Sequence, residues 1–228
     1  MTLRALIFDV DGTLAETEEA HRAAFNATFA AHRLNWFWNR DDYARLLKTT
    51  GGKERMAAYC AEIGVETRPD IAALHADKTR RYTAALAEGR LALRPGVGAL
   101  MARARAAGLR LAIATTTSRP NVEALAQCVW GRPASDLFDV IAAGDEVAAK
   151  KPAPDVYLLA LARLDLPASA AIALEDSRNG LLSARAAGLR CVITPSVYTA
   201  TEDFTGADWV IPSLDNAHLP EVLQAELA

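Results

Sequence analysis

Six short apolar runs, broken only by Arg4 and Arg110, constrain this chain more than any other feature: Leu3 to Phe8, Leu109 to Ala114, Val140 to Ala143, Ala171 to Leu174, Cys191 to Ile193 and Trp209 to Ile211. A strand covered on both faces has no side to show to water, so continuous rather than alternating apolarity marks a parallel sheet. Amphipathic stretches separate the runs, which predicts an α/β fold, a doubly wound parallel sheet with helices on both faces. Five of the six runs lie after residue 108. Residues 16–90 hold no comparable strand, only helical patterns such as Glu18 to His32 and Asp70 to Glu88; in the latter, Ile71, Leu74, Tyr82 and Ala85 recur at helical spacing. The expected organisation is a core of residues 1–15 and 91–228 with a helical cap, residues 16–90, inserted after the first strand. Hinges are expected near Ala15 to Glu18 and Arg90 to Pro95. Such an insert sits over the C-terminal end of that strand, where open α/β sheets bind ligands.

Composition narrows the function classes. Half of the chain is apolar (51%), enough for a core without disulfides or a structural metal. Lys and Arg total 25 against 28 Asp and Glu, a formal charge of -3 that excludes the basic surface of a nucleic-acid binder. Cys60, Cys128 and Cys191 show no paired spacing, against both a disulfide framework and a cysteine zinc site. The first apolar run meets aspartates at once, unlike a signal peptide, and no run approaches the roughly 20 residues of a membrane span. These features predict a soluble cytoplasmic protein with no nucleic-acid or membrane partner, and imply no obligate protein partner. One string, ARAAGLR, occurs at Ala104 to Arg110 and again at Ala184 to Arg190, each time before an apolar run. Both copies read as a helix ended by a C′ glycine, Gly108 or Gly188, that turns into the sheet.

The chemistry gathers at strand ends. Asp9-Val10-Asp11-Gly12-Thr13 follows the first run, so both carboxylates emerge together. The second run ends in Thr115-Thr116-Thr117-Ser118 before a helix start at Pro120, and hydroxyls beside a helix N-terminus hold anions. Lys150-Lys151 precedes a rigid Pro-x-Pro turn, placing a cation for a phosphate oxygen. The fourth run meets Glu175-Asp176, two carboxylates that cost stability at a buried strand end unless a cation is bound. Mg²⁺ takes oxygen ligands and is held by one or two carboxylates plus substrate phosphate, so the four ends together describe a site for Mg²⁺ and a phosphoryl group.

In order and residue type, DVDGT, the ATTTS threonine, KKPAP and LEDS resemble the four motifs of the haloacid-dehalogenase superfamily of phosphotransferases. The resemblance covers the whole chain and implies a Rossmann-like core with a cap after the first motif. It implies that Asp9 is the nucleophile forming an aspartyl-phosphate and that Asp11 is the general acid and then base. It further implies that Mg²⁺ is held by the Asp9 carboxylate, the Asp11 carbonyl and Asp176, with Glu175 a ligand directly or through water. Thr115, with Thr116 as alternative, is the implied phosphate-binding hydroxyl. Lys151, which directly precedes the proline, is preferred over Lys150. Acid dehalogenation is disfavoured, because the second aspartate marks the phosphate-processing members.

The cap carries substrate choice. It holds 12 Lys and Arg against 11 Asp and Glu, which decides little. Thr49-Thr50-Gly51-Gly52-Lys53-Glu54-Arg55 is a glycine-rich turn with cations opening a helix, an anion-binding arrangement, and His75 and Lys78 share one helix face. A second anion site facing the first favours a bisphosphate. The segments DVDGTLAETEEAHRAAFN, WFW, TTGGKER and ALEDSRNG resemble the CbbY-type sugar-bisphosphate phosphatases encoded with Calvin-cycle enzymes. That family acts on xylulose-1,5-bisphosphate, an inhibitor of Rubisco. The resemblance makes Glu18, Gly51, Gly52, Lys53, Arg55, His75, Lys78 and Asn121 candidate substrate contacts beside Thr115, Thr116 and Lys151. Alternatives are a β-phosphoglucomutase-like sugar phosphomutase or a phosphatase for another small ester such as phosphoglycolate. Trp36, Phe37 and Trp38 read as cap packing, and the three cysteines as ordinary small residues. His21, His32 and His218 lack partners at metal spacing and receive no role.

Overall fold

A computed structural model describes residues 2–65, 69–89 and 91–227. In chain order its elements are β1 (Ala5–Phe8), α1 (Glu18–Ala31), α2 (Arg40–Leu46), α3 (Gly52–Glu62), α4 (Ile71–Ala87), α5 (Val97–Ala106), β2 (Arg110–Ala114), α6 (Arg119–Trp130), α7 (Ala134–Leu137), β3 (Val140–Ala142), α8 (Asp155–Leu164), β4 (Ala171–Glu175), α9 (Arg178–Ala186), β5 (Arg190–Ile193), β6 (Trp209–Val210) and α10 (Glu221–Glu226). Each apolar run supplies one strand, and all pairings are parallel in the order β3-β2-β1-β4-β5-β6. β1 and β4 are therefore central, and the chain leaves the sheet from its middle at Asp9 and Asp176. The α/β expectation holds.

Two apolar layers cover the sheet. Leu6, Phe8, Leu111, Ile113, Ile172 and Leu174 face α5 and α6, while Ala5, Ile7, Ala112, Ala173 and Cys191 face α8 and α9. The repeated string behaves as its glycines require: Gly108 and Gly188 take φ of +78° and +81°, closing α5 and α9 before β2 and β5.

Among the described residues, four helices, α1 to α4, lie between β1 and α5. Phe25, Phe29, Trp38, Tyr43, Leu46, Met56 and Leu74 form a separate cluster among them. α2 has no counterpart in the sequence reading, because seven residues with only Tyr43 and Leu46 buried are too short for a periodic signal. In α4 the buried stripe runs Leu74, Lys78, Tyr82, Leu86, at four-residue intervals; Ala85, expected to be buried, is exposed. Leu74 joins the cap cluster, whereas Tyr82 and Leu86 join the sheet cluster together with Val122, Leu125 and Ala126 of α6. Trp38 is fully buried as expected of packing, but Phe37 is 68% exposed. The two connections lie side by side, Ala15 bridging Leu93 antiparallel, where hinges were expected; Arg90 lies outside the described residues.

Candidate active site

β1 ends in Asp9, whose N–H still donates to the Leu174 carbonyl at 2.9 Å, so its side chain emerges directly above the sheet. Lys151 Nζ donates to Asp9 Oδ1 at 2.6 Å and to Glu175 Oε1 at 2.5 Å, and Tyr157 Oη donates to the same Glu175 oxygen at 2.7 Å. Lys150 instead caps the Gly144 and Val147 carbonyls, in keeping with the preference for Lys151. Asp176 continues from β4, and Thr199 Oγ1 donates to its backbone carbonyl at 2.7 Å. One oxygen from each of Asp9, Glu175 and Asp176 lies within 4.8 Å of the others, all buried. Burial, reinforced by Glu175 and Asp11 against the pull of Lys151, pushes the Asp9 carboxyl up to about 8. Burial and the same neighbouring carboxylates push Asp176 well above the usual range. Against its own burial, Lys151 is held above its ordinary value by Asp9 and Glu175.

Three buried carboxylates thus stand together with one ammonium, which bonds two of them. The surplus of negative charge, offered by hard oxygen donors at close range, fits a divalent cation such as Mg²⁺. Glu175 Oε1 is taken by two donors, and Oε2 is buried without a protein partner among the described residues.

Asp11 faces a different set. Thr17 Oγ1 donates to Asp11 Oδ1 at 2.5 Å and His21 Nε2 lies 3.0 Å from the same oxygen. Behind it, Lys78 Nζ is 2.5 Å from His21 Nδ1, and the imidazole stacks on Tyr82 with ring centres 3.8 Å apart. Burial raises the Asp11 carboxyl, but His21, Thr17 and Lys78 together bring it down to about 2. Burial pulls Lys78 down to about 7 despite Asp11 and Glu18. His21, given no role in the sequence reading, is therefore the nearest base to Asp11. The signal was present: Thr17 and His21 are four apart at the start of a helix that follows the aspartate loop, so they share its face.

Above these groups lies a cavity of about 570 Å³. Asp9, Asp11, Lys151, Asp176, Thr116 and Asn121 line it from the sheet side, and Glu18, Gly51, Gly52, Lys53, Arg55, His75 and Lys78 from the helices above. The structure thus brings the candidates together, with two exceptions. Thr115 is buried beneath the wall, its Oγ1 accepting from the Thr117 N–H at 3.2 Å, and Glu175 lies behind Lys151. Gly51, at φ +88°, turns the chain into α3 and presents that helix's N-terminus to the cavity. Arg55 is turned partly inward, donating to the Leu46 and Thr49 carbonyls and to Tyr43 Oη, which itself donates to Glu18 at 2.7 Å. Burial, then Lys78 and Lys53, pulls His75 down to about 4, so at neutral pH it is an uncharged hydrogen-bonding group rather than a cation. Three contacts span the far rim: Thr50 Oγ1 to the Lys151 carbonyl, Asn179 Nδ2 to the Lys48 carbonyl at 3.2 Å, and Tyr198 Oη to Glu19. No helix among the described residues is long and apolar enough to cross a membrane.

Comparison with known proteins agrees with this geometry. The chain is 62% identical to protein CbbY of Rhodobacter capsulatus over 218 residues, 95% of this chain and 96% of that one. The crystal structure of CbbY from Rhodobacter sphaeroides in complex with phosphate superposes with a TM-score of 0.90 at 55% identity, covering 94% of this chain and 96% of that one. A mutant of the same protein in complex with xylulose-(1,5)bisphosphate gives a TM-score of 0.89 at the same identity and coverage. Residues 3–188 match the haloacid dehalogenase-like hydrolases. The chain belongs to that family, as a phosphatase similar to CbbY.

Proposed function

We propose that this phosphatase hydrolyses xylulose-1,5-bisphosphate in a Mg²⁺-dependent reaction through an aspartyl-phosphate on Asp9. The observation that carries the reading is the pairing of two anion-binding walls across one cavity. Below stand Asp9, Lys151 and the acidic cluster; above stand the Gly51–Gly52 helix start, Lys53, Arg55 and Lys78. A substrate with a phosphate at each end spans both. The complex of the CbbY relative with xylulose-(1,5)bisphosphate supports this choice. Residues 16–90 are then a cap that closes over a core of residues 1–15 and 91–228.

The carboxylate of Asp9 attacks phosphorus; the bond from phosphorus to the sugar oxygen breaks, and that oxygen takes a proton from Asp11. Asp11 then removes a proton from the water that attacks the aspartyl-phosphate; the bond to Asp9 breaks and phosphate departs. At rest His21 and Thr17 favour ionised Asp11, the form needed in the second half. A phosphate dianion brought alongside favours the protonated form needed in the first. Lys151 neutralises charge on Asp9 and on a phosphate oxygen, and Tyr157 and Glu175 fix its position. Mg²⁺ would be held by Asp9, Asp176 and the Asp11 carbonyl, with Glu175 acting directly or through water; the chemistry it supplies when bound is neutralisation and alignment of the phosphoryl oxygens. Thr115 or Thr116 completes the phosphate site, and Asn121 and Glu18 face the sugar.

The test is phosphate release, with Mg²⁺ and with EDTA, from xylulose-1,5-bisphosphate, ribulose-1,5-bisphosphate, β-glucose-1-phosphate and phosphoglycolate. Fast metal-dependent release from the first with discrimination against the second is expected. Conversion of β-glucose-1-phosphate to its 6-phosphate without net release would overturn the reading in favour of a mutase.

A further inference from the structure

Arg94 stands where the return connection from the cap rejoins the sheet domain, only 11% of its side chain exposed, and the reaction as described gives it no part. Its guanidinium grips the segment that carries Asp11. Nη1 donates to the Gly12 carbonyl, Nε lies 3.1 Å from Glu16 Oε1, and the Arg94 backbone N–H donates to the Leu14 carbonyl at 2.8 Å. Positions 12, 14 and 16 are thus held from one residue. Within the same segment the Gly12 and Thr17 N–H groups both bond the Ala15 carbonyl, at 2.9 and 3.0 Å, and Thr17 Oγ1 reaches Asp11. The same guanidinium also holds the loop behind Asp176. Nη1 donates to the Thr194 carbonyl and Nη2 to the Pro195 carbonyl, each at 2.7 Å. The Thr194 N–H in turn donates to the Glu175 carbonyl at 2.8 Å, and the next residue, Ser196, donates to Thr199 Oγ1, which bonds Asp176.

We propose that Arg94 is a positioning residue for phosphoryl transfer: one buried guanidinium locks the acid–base loop to the loop behind Asp176, so that Asp11 keeps its place relative to Asp9 while the cap moves. The inference rests on the proposed role of Asp11. A planar fork with donors on two edges reaches carbonyls on opposite sides, which the single ammonium of a lysine does not. A guanidinium spent on three carbonyls is expected to act on geometry rather than on substrate charge.

The experiment exploits the leaving group. A sugar oxygen needs a proton from Asp11 as it leaves, whereas p-nitrophenolate departs without one. At saturating Mg²⁺, kcat/KM is measured for xylulose-1,5-bisphosphate, β-glucose-1-phosphate and p-nitrophenyl phosphate with Arg94→Lys and Arg94→Met, alongside melting temperatures. Both variants are expected to lose at least about tenfold on the sugar phosphates, part of the general-acid contribution, and less than about threefold on p-nitrophenyl phosphate. Glu16→Gln, which leaves the carbonyl fork intact, is expected to match wild type. Equal losses on all substrates would make Arg94 an ordinary brace, and so would no loss on any; either overturns the proposal. Arg94→Lys keeps the charge and the volume, so a readout survives if Arg94→Met does not fold. Wild type acting on β-glucose-1-phosphate but not on xylulose-1,5-bisphosphate would sink the substrate reading alone, leaving the Arg94 comparison intact.

Discussion

Gly12→Ala separates backbone strain from displacement of the site. Gly12 takes φ +83°, and a Cβ there would stand 2.2 Å from Asp176 Oδ2 and 3.1 Å from Ser196 Cβ, where ordinary contact begins at 3.4 Å. The Asp176 carboxylate must therefore retreat by about 1 Å, a misplacement that costs on the order of 10²-fold in rate. The left-handed backbone adds a stability cost of about 1–2 kcal/mol. Gly108→Ala supplies the control: its φ is +78°, yet nothing lies within 4 Å of the added carbon. Urea unfolding is expected to show both variants destabilised, Gly12→Ala the more because its added carbon also meets Asp176 and Ser196. Phosphate release at saturating Mg²⁺ is expected to fall about 10²-fold in kcat for Gly12→Ala alone. A Gly12→Ala protein that folds and keeps the kcat of Gly108→Ala would refute the claim that the place of Asp176 governs the rate.

Other outcomes follow from the same geometry. Asp9→Asn is expected to abolish turnover while leaving the melting temperature near or above wild type, because the substitution removes one buried carboxylate; retained turnover would exclude the covalent route. Lys53→Ala is expected to raise KM for a bisphosphate about tenfold or more and to leave a monophosphate nearly unchanged, the loss of one charge-assisted contact; equal effects would remove the second anion site. Glu19 bears on stability against pH. Slight burial works to raise its carboxyl, but bonds from Tyr198, Arg22 and Arg40 bring it from 4.5 down to about 2. A lowered folded value stabilises above the unfolded value and is lost as pH falls through the folded one. The gap in denaturant midpoint between wild type and Glu19→Gln is therefore expected to be full above pH 4.5 and to close toward pH 2. A gap that grows on acidification would contradict the assignment.

What the sequence made legible is what repeats or stands at strand ends. β1 to β5 were visible because they are buried on both faces, and Glu175 and Asp176 because carboxylates at the end of a buried apolar run cost stability unless a cation is bound; β6, with Val210 52% exposed, showed only as a short apolar run. Lys151 could be preferred over Lys150 only through the family resemblance, whose lysine directly precedes the proline. His21 escaped because its partner, Asp11, is ten residues away and the two meet only once α1 folds back over β1. Arg94 escaped for a stronger reason: three of its acceptors are backbone carbonyls, which leave no trace in side-chain identity. Ala85 was taken for buried, because Leu74, Lys78, Tyr82 and Leu86 follow at steps of four residues, each a little more than one 3.6-residue turn, so the buried stripe winds round α4 and leaves Ala85 outside it.

Because α4 contributes Leu74 to one apolar cluster and Tyr82 and Leu86 to another, it belongs to both lobes at once. Parting the lobes along its seam with α6 would expose apolar surface, whereas the opposite rim is joined by polar contacts at Thr50, Asn179 and Tyr198 that water replaces at little cost. The molecule is therefore expected to open like a door hung on α4, along the rim where Lys48 and Asn179 meet.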